Sequence, residues 1–113
     1  MSAAPRLTSS VWVSALIRRC AVAGVAATVL HRGYEIAGGI VVVARDRNGT
    51  SRVFVATTDQ RGQRVWLAAN ADPFSDAETG PFVAAQLHRD PDLWVVEVEA
   101  ADPAAFMDES VLA

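Results

Sequence analysis

There is no lysine in this chain of 113 residues; all ten basic side chains are arginine. That absence excludes Schiff-base chemistry, a P-loop lysine and a lysine general base. What remains is guanidinium, always charged and forked to fit carboxylate or phosphate. Cysteine is nearly absent as well. Cys20 stands alone, so no internal disulfide and no cysteine-based metal cluster can form, and a reducing compartment fits. Long apolar runs are also missing: Cys20 to Leu30 spans eleven residues, against about twenty needed to cross a bilayer. Arg18-Arg19 before that run imitates a twin-arginine leader. However, Ile17 precedes the pair, His31-Arg32 closes the run, and no small-x-small cleavage site follows. A cytoplasmic protein without a membrane partner is the expectation. Gly-x-Ser-x-Gly, P-loop, dinucleotide and zinc-helix motifs are all lacking. No catalytic residue is therefore assigned, and no cofactor or metal is expected.

Positive charge is scarce in the second half. Nine of the ten arginines lie in residues 1–64 and ten of the thirteen acids in 65–113, which gives the two parts formal charges of +6 and −9. Such a split marks either an internal pairing code or an anionic partner. The net charge of −3 argues against nucleic acid as the partner of the whole chain. With 51% hydrophobic and 20% charged residues, the composition is that of a folded core.

Residues 1–8 read as a flexible lead-in and 9–113 as a single domain. Ser9 and Ser10 offer N-cap oxygens to a helix from Val11 to about Ala23, with Val13, Leu16, Ile17 and Cys20 as its apolar stripe and Gly24 as its stop. Ala26 to Arg32 reads as a strand, and Ile40-Val41-Val42-Val43 as an inner one. Asn48-Gly49 signals a hairpin into Arg52 to Thr57, and Gly62 a second turn into Arg64 to Ala68. Residues 70–80 look like a polar loop, with Pro81 opening a helix to Arg89. Leu93 to Glu99 alternates, placing Trp94, Val96 and Val98 on one face and Val95, Glu97 and Glu99 on the other. Asp102-Pro103 caps a short terminal helix through Met107. The order α-β-β-β-β-α-β-α predicts an α+β fold: a mostly antiparallel sheet of about five strands, with helices packed on one face. Trp66 and Trp94 belong to its core, and Trp12 is partly exposed.

Three stretches together carry a resemblance. They are Arg6-Leu7-Thr8-Ser9-Ser10-Val11-Trp12-Val13-Ser14-Ala15-Leu16-Ile17-Arg18-Arg19, then Arg32-Gly33 with Ala37-Gly38, then Asp90-Pro91-Asp92-Leu93-Trp94-Val95-Val96-Glu97-Val98-Glu99. Their order and spacing resemble the short bacterial proteins grouped as domain of unknown function 1491. Gly62-Gln63-Arg64-Val65-Trp66 is similar to that family's Gly-Glu-Arg-x-Trp, with Gln63 in place of the acid. Gln86-Leu87-His88-Arg89 departs from its arginine-glutamine pair. The resemblance implies a compact domain and no particular activity.

Candidate ligand-binding residues are Arg18, Arg19, Arg32 and Arg64, which would grip a small carboxylate or phosphate if they converged. Pairing with Asp90, Asp92, Glu97 and Glu99 is the competing use of those arginines. His31 is a candidate proton carrier beside Tyr34 and Glu35. His88-x-Asp90-x-Asp92 has metal-binding residue types, but its histidine should still be helical. Cys20 lies on the apolar stripe and reads as structural. The sequence favours a non-enzymatic binding or assembly module, with self-association or an unknown protein partner. An arginine-based anion-binding domain or small enzyme is the alternative, and a nucleic-acid-binding regulator a weaker one.

Overall fold

In the computed structural model of the chain, residues 7–70, 72–100, 102, 107 and 111–112 are described. Among them run α1 (Ser9–Val22), β1 (Ala27–His31), β2 (Ile40–Arg45), β3 (Thr50–Thr58), β4 (Arg64–Ala68), β5 (Phe74–Ser75), α2 (Asp76–Arg89), β6 (Trp94–Val98) and β7 (Val111–Leu112). The α+β class and the mostly antiparallel sheet match the sequence reading. Strands β5 and β7 are two residues each, too short for any periodicity. Residues 1–6 of the lead-in, and most of the expected terminal helix, lie outside the described residues. Met107 is helical and fully buried.

Helix α1 begins two residues earlier than its serines suggest. Thr8 is the N-cap, and its hydroxyl oxygen accepts from the Val11 N–H at 3.4 Å. Ser9 is otherwise engaged, donating its hydroxyl to the Gly38 carbonyl at 2.5 Å. The end is a Schellman motif: Gly24 has φ +72°, its N–H reaches the Ala21 carbonyl, and Val25 N–H reaches that of Cys20 at 2.8 Å. Trp12, Val13, Leu16 and Cys20 are buried, with Ile17 at their margin. Trp12 corrects its expected exposure. It is 4% exposed, with its ring 5.0 Å from that of Trp66.

The strand order is β1-β6-β2-β3-β4-β7, with β5 also on β3. Only β2-β3-β4 is a meander. Strand β6 slots between β1 and β2, antiparallel to the first and parallel to the second. The eight-residue connection 32–39 is long enough to step over it. Two layers then cover the sheet, not one. Helix α1 packs over Ile40, Val42, Ala44, Trp94, Val96 and Val98. Helix α2 covers the reverse face through Phe82, Val83 and Leu87, against Val41, Val43, Val53 and Val95. The expectation of helices on one face is thereby corrected. Valines at alternate positions on that second face have to leave water, and α2 is the element that covers them.

Helix α2 starts at Asp76, five residues before Pro81. Ser75 and Glu78 form a capping box, in which the Glu78 carboxylate accepts from the Ser75 N–H at 3.1 Å and hydroxyl at 2.9 Å. These bonds hold the Glu78 carboxyl below its ordinary range. Pro81 therefore sits inside the helix, where it cannot donate to the Ala77 carbonyl. Ala77 is exposed, so water can satisfy that group.

Both hairpins of the meander turn on an aspartate and a left-handed glycine. Asp46 Oδ1 accepts from the N–H groups of Asn48 (2.8 Å) and Thr50 (3.2 Å), and its Oδ2 from the Thr50 hydroxyl (2.6 Å). Gly49 follows at φ +78°. Asp59 repeats the device on Arg61 and Gln63, with Gly62 at φ +79°. The Thr50 hydroxyl, and then the Thr50 and Asn48 amides, hold the Asp46 carboxyl below its usual value. A depressed folded pKa stabilises above the unfolded value of about 3.9 and fades as pH falls through the lower folded one. Asp46→Asn is accordingly expected to flatten the acid limb of stability below about pH 4. Urea midpoints measured across the acid range check this, and an unchanged limb would contradict it.

Candidate functional site

Three chain segments meet where β1 and α2 end and where α1, β2 and β6 begin. The loop after β1 packs on the residues entering β6: Tyr34 N–H donates to the Asp92 carbonyl at 3.0 Å, and the Trp94 indole N–H to the Tyr34 carbonyl at 2.9 Å. The first amides of α1 close the corner, Ser9 donating to Ile36 and Ser10 to Glu35. These bonds use the helix N-terminus internally. A Cβ at Gly33 or Gly38 would collide with the Asp92 carbonyl oxygen, so the backbones touch there with no room for a side chain. Parts of the three stretches that carry the family resemblance thus meet in one structural joint.

His31 lies at this corner, half-buried, with Nδ1 2.8 Å from the Leu93 carbonyl. A carbonyl only accepts, so Nδ1 carries the proton and Nε2 is the acceptor of the neutral ring. Tyr34 and Glu35 are exposed nearby in sequence, yet among the described residues no carboxylate, hydroxyl or thiol bonds to the imidazole. Cys20 is fully buried, and burial raises its thiol pKa against the opposing charge of Arg19. A structural thiol follows. His88 occupies the last turn of α2 while Asp90 and Asp92 belong to the next turn, where Asp90 Oδ1 accepts the Asp92 N–H. No metal-holding group of three such side chains occurs among the described residues.

The four candidate arginines fall in separate places. Arg18 and Arg19 ride the last turns of α1, at the opposite end of the sheet from Arg32 and Arg64. Arg32 lies over the Trp94 ring at 5.3 Å and Arg64 over Trp12 at 5.6 Å. Arg32 directly follows β1 and Arg64 opens β4, and these strands are four strand spacings apart, roughly 19 Å at about 4.8 Å each.

Arg45, which the sequence does not single out, bridges the two charge halves instead. Its guanidinium meets Asp76 at 2.8 Å and Glu97 at 3.8 Å. Only register places these together, since Ala44 pairs with Val98 and β5 lies on β3. All three side chains keep solvent contact, so Arg45→Met is expected to cost at most about 1 kcal/mol, an effect chemical denaturation resolves. Arg45 also lines the larger cleft, about 910 Å³, with Arg47, Asp46, Glu99 and Gly24. It opens beyond the carboxyl ends of the parallel pair β2 and β6. A second cleft of about 430 Å³ runs between Leu7, Ile36, Thr57 and Arg64. No helix among the described residues is long and apolar enough to cross a membrane.

Comparison places these features in a wider set. A family model described as "protein of unknown function (DUF1491)" matches residues 7–108. The crystal structure of a DUF1491 family protein from Caulobacter crescentus is 36% identical, with a TM-score of 0.84 over 95% of this chain and all of that one. An NMR structure of a DUF1491 family protein from the same organism gives 36% identity and 0.83 over 97% of this chain and all of that one. The solution structure of protein Atu0922 from A. tumefaciens is 30% identical, with a TM-score of 0.81 over 96% of this chain and 98% of that one. None of the curated proteins matches the chain. The chain belongs to the DUF1491 family, whose function is unknown.

Proposed function

We propose that the protein is a non-enzymatic binding or assembly module that acts by presenting a surface. One observation supports this most. Six of the seven exposed large hydrophobic residues among the described ones lie between positions 7 and 36: Leu7, Val11, Val22, Leu30, Tyr34 and Ile36. Leu7 precedes α1 and the others sit on α1, β1 and the loop after it, and α1 packs over β1 and β6. Apolar exposure concentrated in one segment of a small domain is characteristic of a contact surface. The groups with potential chemistry are dispersed or engaged in turns, which supports the same reading. The test is the mass of the purified protein by sedimentation in low and high salt, together with recovery of stoichiometric proteins on the tagged chain. A mass above the monomer or a co-purifying partner is expected. A monomer in both salts with no partner would overturn the proposal.

A second reading, an anion-binding domain, draws on the cleft beside Arg45 and Arg47. On that reading phosphate or citrate raises the melting temperature and Arg47→Ala removes the rise; no shift with either anion excludes it.

A further inference from the structure

Among the described residues, strand β1 has a neighbour on one side only, β6. Glu99 N–H donates to the Ala26 carbonyl and Thr28 pairs with Glu97. By antiparallel alternation, the N–H and C=O groups of Ala27 and Val29 point away from β6. The five residues Ala27–His31 carry no Asp, Glu, Lys or Arg, so this edge lacks the charged side chains that commonly guard one. We propose that β1 pairs with β1 of a second copy of this chain, antiparallel, about a two-fold axis at Thr28. This inference rests on the assembly reading and names its partner.

Three features favour that occupant. First, the register satisfies all the regular outward groups at once: Ala27 of each copy exchanges bonds with Val29 of the other, up to the irregularity between Val29 and His31. Second, the ends are complementary in charge. Arg32 is exposed at one end of β1, and exposed Glu99 flanks Ala26 at the other. An antiparallel pair sets each Arg32 toward the partner's Glu99 end, whereas a parallel pair would set arginine beside arginine. Third, α1 supplies area that two short strands lack, since a stable dimer buries about 1,600 Å² in total. Trp12 leans toward β4, and the flank of α1 above β1 carries Ser10, Ser14, Ile17 and Ala21 at helical spacing. A two-fold axis normal to the sheet sets the two α1 helices roughly 10 Å apart, about normal helix-packing distance. The small side chains of Ser10, Ser14 and Ala21 on that flank permit the approach.

The test uses the full chain. Sedimentation should show a dimer, and Thr28→Lys and Ala27→Pro should each weaken it at least tenfold while the near-ultraviolet tryptophan signal stays unchanged. Thr28→Cys should oxidise to a covalent dimer, because residues at the axis approach within about 4.5 Å and buried Cys20 is out of reach. A wild-type monomer with another protein bound would overturn the pairing but leave the assembly reading intact; a monomer with nothing bound would end both. A dimer indifferent to both substitutions, or a Thr28→Cys variant that stays reduced, would place the interface elsewhere.

Discussion

Gly33→Ala is expected to cost about 3 kcal/mol and to lower the melting temperature by roughly 10–20 °C. The reason is contact and not backbone angle. A methyl group there would overlap the Asp92 carbonyl oxygen and come within 2.6 Å of the Leu93 carbonyl carbon. Neither atom can rotate away, because both belong to the backbone entering β6, held by Trp94 N–H donating to the Gly39 carbonyl at 2.8 Å. Gly62→Ala is the control. Its Cβ would meet open space, but φ is +79°, so only the left-handed penalty of about 1 kcal/mol applies. Thermal and urea unfolding of the two variants should separate them clearly. Equal losses would mean that the joint between the two segments is looser than its geometry indicates.

Asn70→Ala is expected to cost about 3 kcal/mol as well, through hydrogen bonds and not volume. Strand β3 meets β4 along Phe54–Thr58 and β5 at Thr50–Ser51, which leaves a gap in the ladder. Asn70 fills it. Its Oδ1 accepts from the Val53 N–H at 3.0 Å, and its Nδ2 donates to the carbonyls of Ser51 (3.1 Å) and Asp72 (2.8 Å). The side chain is 6% exposed, so water cannot readily replace it. Alanine would strand the Val53 N–H in a dry interior. Native-state hydrogen exchange should show that amide losing protection ahead of its neighbours. A loss of stability spread evenly over the sheet would argue for a packing role instead.

Much of the fold could be read from periodicity. The stripe of α1, the Ile40–Val43 strand and the alternation of Leu93–Glu99 each follow from where apolar residues fall. The α2 start was legible too, in Ser75-x-x-Glu78, but Pro81 offers a louder signal that points five residues downstream. Strand order was not legible. Nothing local in Trp94–Val98 shows that it separates β1 from β2, because parallel pairing is set by a distant register. The same limit applies to the candidate site. Arginine type was visible, but convergence depends on strand order, which carries Arg32 and Arg64 apart and brings Arg45 to Asp76 and Glu97.

The late position of β6 has a consequence for how the chain is made. As residues emerge in order, β2, β3 and β4 can zip locally, but β1 has no strand to join until residues 94–98 appear. Until then the row Ile40–Ala44, fully covered in the finished sheet, has one bare flank. Closure depends on contacts far apart in sequence, and such topologies fold slowly. A nascent or truncated chain ending before β6 would present a sticky valine edge, so for this protein the vulnerable interval is its own biosynthesis.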